Sequence, residues 1–171
     1  MAIPYYGQNK LGDDLSWAKN SVSGDAYGTV AVAGANTQYG AAASPMAKTQ
    51  LNRTIVNGHA DGLDVFLPAV SSADAGMWLR VVVGVTNTTA IIVTAATGDP
   101  LVGNVIITKA SDAVANAAYF ASDGSDLIFT MNGGTTGGLI GSEVLFQVNK
   151  DGYWMVSGNL NGSGTLATSF S

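Results

Sequence analysis

The stretch Glu143-Val144-Leu145-Phe146-Gln147-Val148-Asn149-Lys150-Asp151-Gly152-Tyr153-Trp154-Met155-Val156-Ser157-Gly158 decides the fold class. Two apolar, β-branched and aromatic runs flank Asn-Lys-Asp-Gly, a tetrapeptide rich in residues that tolerate positive φ, and this is the signature of a β-hairpin. Because side chains alternate along a strand, Leu145 and Gln147 stand on one face with Tyr153 and Met155 on the returning arm. Tyr153 and Trp154 are adjacent and so point to opposite sides, which makes one a core residue and the other an interface candidate.

Working outward, the same grammar recurs. Strands are predicted near Gln50 to Val56, Leu63 to Leu67, Met77 to Val85, Ala90 to Thr94, Asn104 to Thr108, Ala117 to Ala121 and Asp126 to Met131, besides the hairpin arms. Turn signals separate them: Asn57-Gly58, Asp61-Gly62, Gly98-Asp99-Pro100, Asp123-Gly124 and Asn132-Gly133-Gly134. Val81-Val82-Val83 and Ala90-Ile91-Ile92-Val93 are apolar at every position, as in central strands covered on both faces, whereas Leu127 to Met131 suits partial exposure. Strands about every ten residues without helical periodicity predict an all-β body over residues 49–171, an antiparallel β-sandwich, jelly roll or small barrel. Ser111 to Phe120, with its alanines, reads as a short helix or as a loop entering a strand, and no fixed-period repeat is visible.

Composition shifts near residue 48. Before it, Gly7, Gly12, Gly24, Gly28, Gly34 and Gly40 recur among Ala, Asn and Ser, with Leu15, Trp17, Val22, Tyr27, Val30 and Val32 as anchors. So few apolar groups do not offset backbone ordering entropy, so residues 1–48 read as an extended N-terminal arm that orders on a neighbour. Asp13 to Lys19 suits one Asp-capped helical turn.

The chain has 171 residues, 47% of them apolar, which is ample for one core. Only 11% are charged, against about 25% in an ordinary domain, so much of the surface is neutral or buried on another chain. A net charge of -5 disfavours nucleic acid and anionic membrane, both of which need a basic footprint. The absence of cysteine removes disulfides, thiolate metal sites and cysteine nucleophiles. Met1 to Lys10 shows no export signal, and no apolar run approaches the ~18 residues that span a bilayer.

Few residues suit chemistry. His59 is the only histidine and lies in the turn-rich Asn57-Gly58-His59-Ala60-Asp61-Gly62, with no nucleophile pattern beside it. The acids are eleven Asp and the single Glu143. Asp61 with Asp64, and Asp123 with Asp126, suit turn hydrogen bonding better than a calcium site. No aromatic-rich acidic segment points to glycoside cleavage. Gly133-Gly134-Thr135-Thr136-Gly137-Gly138 lacks the lysine of a phosphate loop and reads as a flexible structural loop. Glycosylation sequons begin at Asn52, Asn87 and Asn161, as chance alone provides. No catalytic residue, metal site or cofactor site is therefore expected.

The opening Ala2-Ile3-Pro4-Tyr5-Tyr6-Gly7-Gln8-Asn9-Lys10, the arm after it, Leu63-Asp64-Val65-Phe66-Leu67-Pro68 and the closing Gly152-Tyr153-Trp154-Met155-Val156-Ser157-Gly158-Asn159-Leu160-Asn161-Gly162 resemble small virion proteins of tailed bacteriophages, especially cyanophage-type head decoration, or cement, proteins. The resemblance implies synthesis in the host cytoplasm and a place on the virion. There a β-body, commonly trimeric, would sit on the capsid exterior with its arm along the major capsid protein lattice, where it stabilises the shell. The low charge and the apolar runs Met77 to Val85 and Ala90 to Thr94 fit a homotrimer. Tyr5, Tyr6 and Trp17 are the candidate capsid contacts, since large apolar faces with polar tips suit an intermolecular groove. The alternative is the head domain of a tail fibre, collar or receptor-binding protein, in which Asn132 to Gly141 would belong to the exposed binding loops.

Overall fold

A computed structural model describes residues 29–32, 37–109 and 116–171. Twelve strands follow in chain order: β1 (Thr29–Val32), β2 (Thr37–Ala41), β3 (Ser44–Pro45), β4 (Arg53–Asn57), β5 (Leu63–Phe66), β6 (Trp78–Val83), β7 (Ile91–Thr94), β8 (Leu101–Lys109), β9 (Ala117–Ala121), β10 (Ile128–Met131), β11 (Glu143–Val148) and β12 (Trp154–Gly162). The only helical elements among the described residues are two single 3₁₀ turns, Lys48–Gln50 and Ser72–Asp74. Each strand expected in the body is present. Ala117 to Ala121 is a strand, which settles the ambiguous Ser111 to Phe120 segment where it is described.

The strands form two sheets with their buried faces in one core. A seven-stranded sheet runs β1-β4-β6-β11-β12-β8-β9, and a five-stranded sheet runs β10-β7-β5-β2-β3. This is an all-β, sandwich-like architecture without a closed barrel, and both sheets are mixed where the sequence suggested antiparallel ones. The reason lies in the path. From β4 to β8 each strand crosses to the opposite sheet, so β6 returns beside β4 and β7 beside β5 in the same direction, with no helix needed for the parallel connection. β1, β4 and β6 are parallel in one sheet, and β2, β5 and β7 in the other. Partners lie 25 residues apart at Thr29 and Thr54 and 26 apart at Arg53 and Leu79 and at Thr37 and Leu63. This coil repeats in backbone geometry alone, which is why no repeat shows in the sequence. The later chain is simpler: β11 fills the gap between β6 and β12, antiparallel to both, and so joins the two halves of the large sheet.

Burial alternates strictly along β4, β5, β7 and β11. Ile55, Val81, Phe146, Trp154, Leu101 and Ile107 from the large sheet meet Val65, Ile91, Val93, Phe129 and Met131 from the small one. Trp154 is thus the core member of the Tyr153-Trp154 pair, while Tyr153 is half-buried. The Asn149 to Gly152 turn closes as expected, with the Asn149 side-chain oxygen accepting from the Asp151 and Tyr153 amides. Val82 and Ile92, expected to be covered on both sides, are covered on one and half-exposed on the other.

The arm boundary moves. Within residues 1–48, β2 hydrogen-bonds to β5, Tyr39 and Met46 enter the core at 8% and 2% exposure, and the Met46 amide donates to the Phe66 carbonyl. β2 borrows its ladder from β5 of the body, so two large apolar side chains suffice where composition predicted too few. Tyr5, Tyr6, Trp17 and the Asp13 to Lys19 turn lie outside the described residues. At the other end, Ser169 to Ser171 run along β10, where the Ile128 and Thr130 amides donate to the Ser171 and Ser169 carbonyls, and Phe170 plugs the core. That tail blunts an edge otherwise open to strand addition.

Candidate interaction surface

Because strand register aligns outward-facing side chains into rows, the face of the large sheet opposite the core can be read residue by residue. One row is Val56, Val82, Glu143, Asn159, Ile106 and Tyr119. The next is Thr54, Arg80, Leu145, Ser157, Asn104 and Ala121, followed by Trp78, Gln147, Met155 and Val102. None of these sixteen is buried, and Tyr119 and Met155 stand 68% and 51% exposed. Only Arg80 and Glu143 are charged, and they pair with each other. Such a half-exposed pair contributes about 0–1 kcal/mol, so it neutralises the face more than it stabilises the fold. Around it Leu145, Ser157 and Asn159 line a shallow hollow of about 360 Å³.

The sequence held part of this face. Alternation in the 143–158 hairpin placed Leu145, Gln147 and Met155 on it, whereas Arg80 and Glu143, 63 positions apart, meet only through the β6–β11 ladder.

Other candidates resolve into structural roles. His59 Nδ1 accepts from the Asp61 amide at 3.2 Å and lies 3.5 Å from the Asp61 carboxylate, a local turn arrangement. Asp64 stands outward on β5 and half-exposed, apart from that turn. Asp123 accepts from the Ser125 hydroxyl and amide, which hold its carboxyl below the usual range, and Asp126 accepts from the Asp123 amide. Among the described residues, no three His, Asp or Glu side chains gather as metal ligands.

The Asn132 to Gly141 loop is pinned by hydrogen bonds. Asn132 Oδ1 accepts from the Gly134 and Thr136 amides, and the Gly133 amide donates to the Gly137 carbonyl. Asn87, buried at 3% exposure, donates its amide proton to the Gly138 carbonyl and its side-chain NH₂ to the Met131 carbonyl. Its side-chain oxygen receives Asn57 Nδ2 at 2.9 Å. Burial withdraws Asn87 from glycosylation.

Two further polar arrangements escaped the sequence reading. Asp74, nearly buried, accepts from the Lys48 ammonium at 2.7 Å and from the Ser71 hydroxyl and amide, and the lysine and serine bonds hold its carboxyl below the usual range. Tyr39 and Arg53 are buried near one another between the sheets; burial pushes the phenol up, with Arg53 pulling slightly back, and lowers the guanidinium.

No protein-family model, no curated protein and no solved structure matches the chain.

Proposed function

We propose that this chain is a non-enzymatic virion structural protein that binds the outside of a tailed-phage capsid as a homotrimer and cements the major capsid protein lattice. The observation that carries the reading is the broad outer face of the large sheet, sixteen positions with one self-neutralised ion pair in a chain only 11% charged. Surfaces of this kind suit protein contact more than chemistry, because charge is depleted where interfaces close. Many copies on a shell convert a modest contact into firm attachment by avidity. The contact with the lattice is assigned to Tyr5, Tyr6 and Trp17, and the body supplies the mass that bridges neighbouring capsid subunits.

Negative-stain microscopy of particles labelled with antibody against this chain tests the reading. Label over the head, together with earlier thermal rupture of particles lacking the protein, is the expected result. Label confined to tail fibres or collar replaces cement by the receptor-binding or fibre-head alternative.

A further inference from the structure

We infer that the outer face of the large sheet, centred on Arg80, Glu143, Leu145, Met155 and Ser157, packs against a second copy of this chain. The inference deepens the virion reading by naming the face through which copies meet, and its test needs no particle.

The argument begins with size. From β4 to β9 the face is six strands wide, and with strands ~4.8 Å apart and ~3.3 Å rise per residue it spans on the order of 500–700 Å² before side-chain relief. That approaches the ~800 Å² per partner of a standard stable interface.

Charge then selects the occupant. The chain carries a net -5, yet this face is neutral because its two charges cancel. Identical copies therefore meet here without the repulsion that their remaining surfaces would exert, whereas a strongly charged partner would find nothing to pair with. Shape points the same way. The hollow beside Arg80 and the projecting Met155 and Tyr119 are separate features of one face, so the knob of one copy enters the recess of the next, a heterologous contact of the kind that closes a trimeric ring. Trp78, Tyr119, Met155 and Arg80 are residue types enriched where proteins associate. Val56, Val82 and Ile106, half-exposed beside them, gain burial on contact.

Sedimentation velocity on the purified full chain, with Met155→Lys and Ser157→Lys variants, decides the matter. Both positions are exposed, so the lysines fit the isolated fold but place like charges in the closed face. Wild type should associate at micromolar concentration, and each lysine should shift the association midpoint at least about tenfold upward with an unchanged circular dichroism spectrum. A wild type that stays monomeric at ~100 µM, a range in which a standard-size interface is populated, overturns the inference, as do lysine variants that associate like wild type. Because the chain lacks cysteine, a nitroxide on Ser157→Cys gives an independent reading. Inter-copy dipolar coupling there, and none from Thr97→Cys on the loop after β7, is expected; the reverse overturns it. A monomer that still decorates particles sinks this inference and spares the virion reading, and an oligomer that ignores particles does the opposite.

Discussion

Phe129 of β10 and Phe146 of β11 meet edge to face, with ring centroids 5.6 Å apart and planes at 84°, and through them the small sheet is fastened to the large one. Phe170 of the C-terminal tail adds a second edge contact to Phe129 at 5.2 Å and 76°. One ring thus ties together three pieces of chain distant in sequence. Phe129→Ala should cost about 3–5 kcal/mol, the range for a fully buried aromatic whose cavity cannot collapse. Phe170→Ala should cost less, since the tail can relax toward solvent. Urea denaturation of both variants and their double mutant checks this, and strict additivity of the two losses would contradict a shared contact.

The Asn57–Asn87 bond makes the pinned loop a second point of failure. Asn87→Ala strands the Asn57 amide in a buried site, and such an orphaned group costs about 1–3 kcal/mol. Gly133→Ala should be worse, because Gly133 has φ of +77° and an added Cβ would overlap the Asn87 carbonyl. Thermal unfolding should rank the two in that order. A neutral Gly133→Ala would show that the loop is free to move.

These sites also mark how far the sequence carries. Strand positions were legible because the alternation of Val144, Phe146 and Val148 with Glu143, Leu145 and Gln147 is imposed locally by the pleat. Strand direction was not, because whether Val81 faces Ile55 in parallel or antiparallel register depends on which sheet the intervening β5 joins. No residue near Val81 records that choice. The boundary at residue 48 misled for a related reason: Tyr39 and Met46 are sparse in the sequence but sit where the core needs filling. The interaction face was legible hairpin by hairpin, and the Arg80–Glu143 pairing awaited the ladder that brings β6 beside β11.

Asp74 predicts an acid-range dependence. Its folded pKa lies below the unfolded value of about 3.9, held there by Lys48 first and Ser71 next. Its contribution is complete above the unfolded value and is lost as pH falls through the folded one. Asp74→Asn should therefore lower stability at pH 7 and flatten the decline below pH ~4 relative to wild type. Urea midpoints measured from neutral pH down through the acid range supply the measurement. A variant with an unaltered acid slope would assign that slope elsewhere, Asp123 being the next carboxylate held low.

His59 should matter little. Its ring is half-exposed and makes one local bond, accepting from the Asp61 amide. His59→Gln should stay within about 0.5 kcal/mol of wild type and leave particle binding unchanged. A loss of particle binding at unchanged stability would place the 57–62 turn in the capsid contact.

The last prediction separates attachment from folding. Since β1 pairs with β4 and Tyr39 and Met46 belong to the core, residues 29–32 and 37–48 pack with the body, and deletion of residues 2–18 removes no described strand. The deletion removes Tyr5, Tyr6 and Trp17, each able to contribute roughly 1.5–3 kcal/mol on burial in a partner groove before ordering costs are subtracted. Repetition over a shell would amplify that loss, so even a modest change per copy empties the particle surface. The truncated protein should be soluble and β-rich, keep the wild-type melting temperature, and fail to bind particles that lack the protein. Circular dichroism and co-sedimentation read the two properties separately. Full binding by the truncated chain would move the capsid contact onto the body, and aggregation of the truncated chain would make residues 2–18 part of its fold.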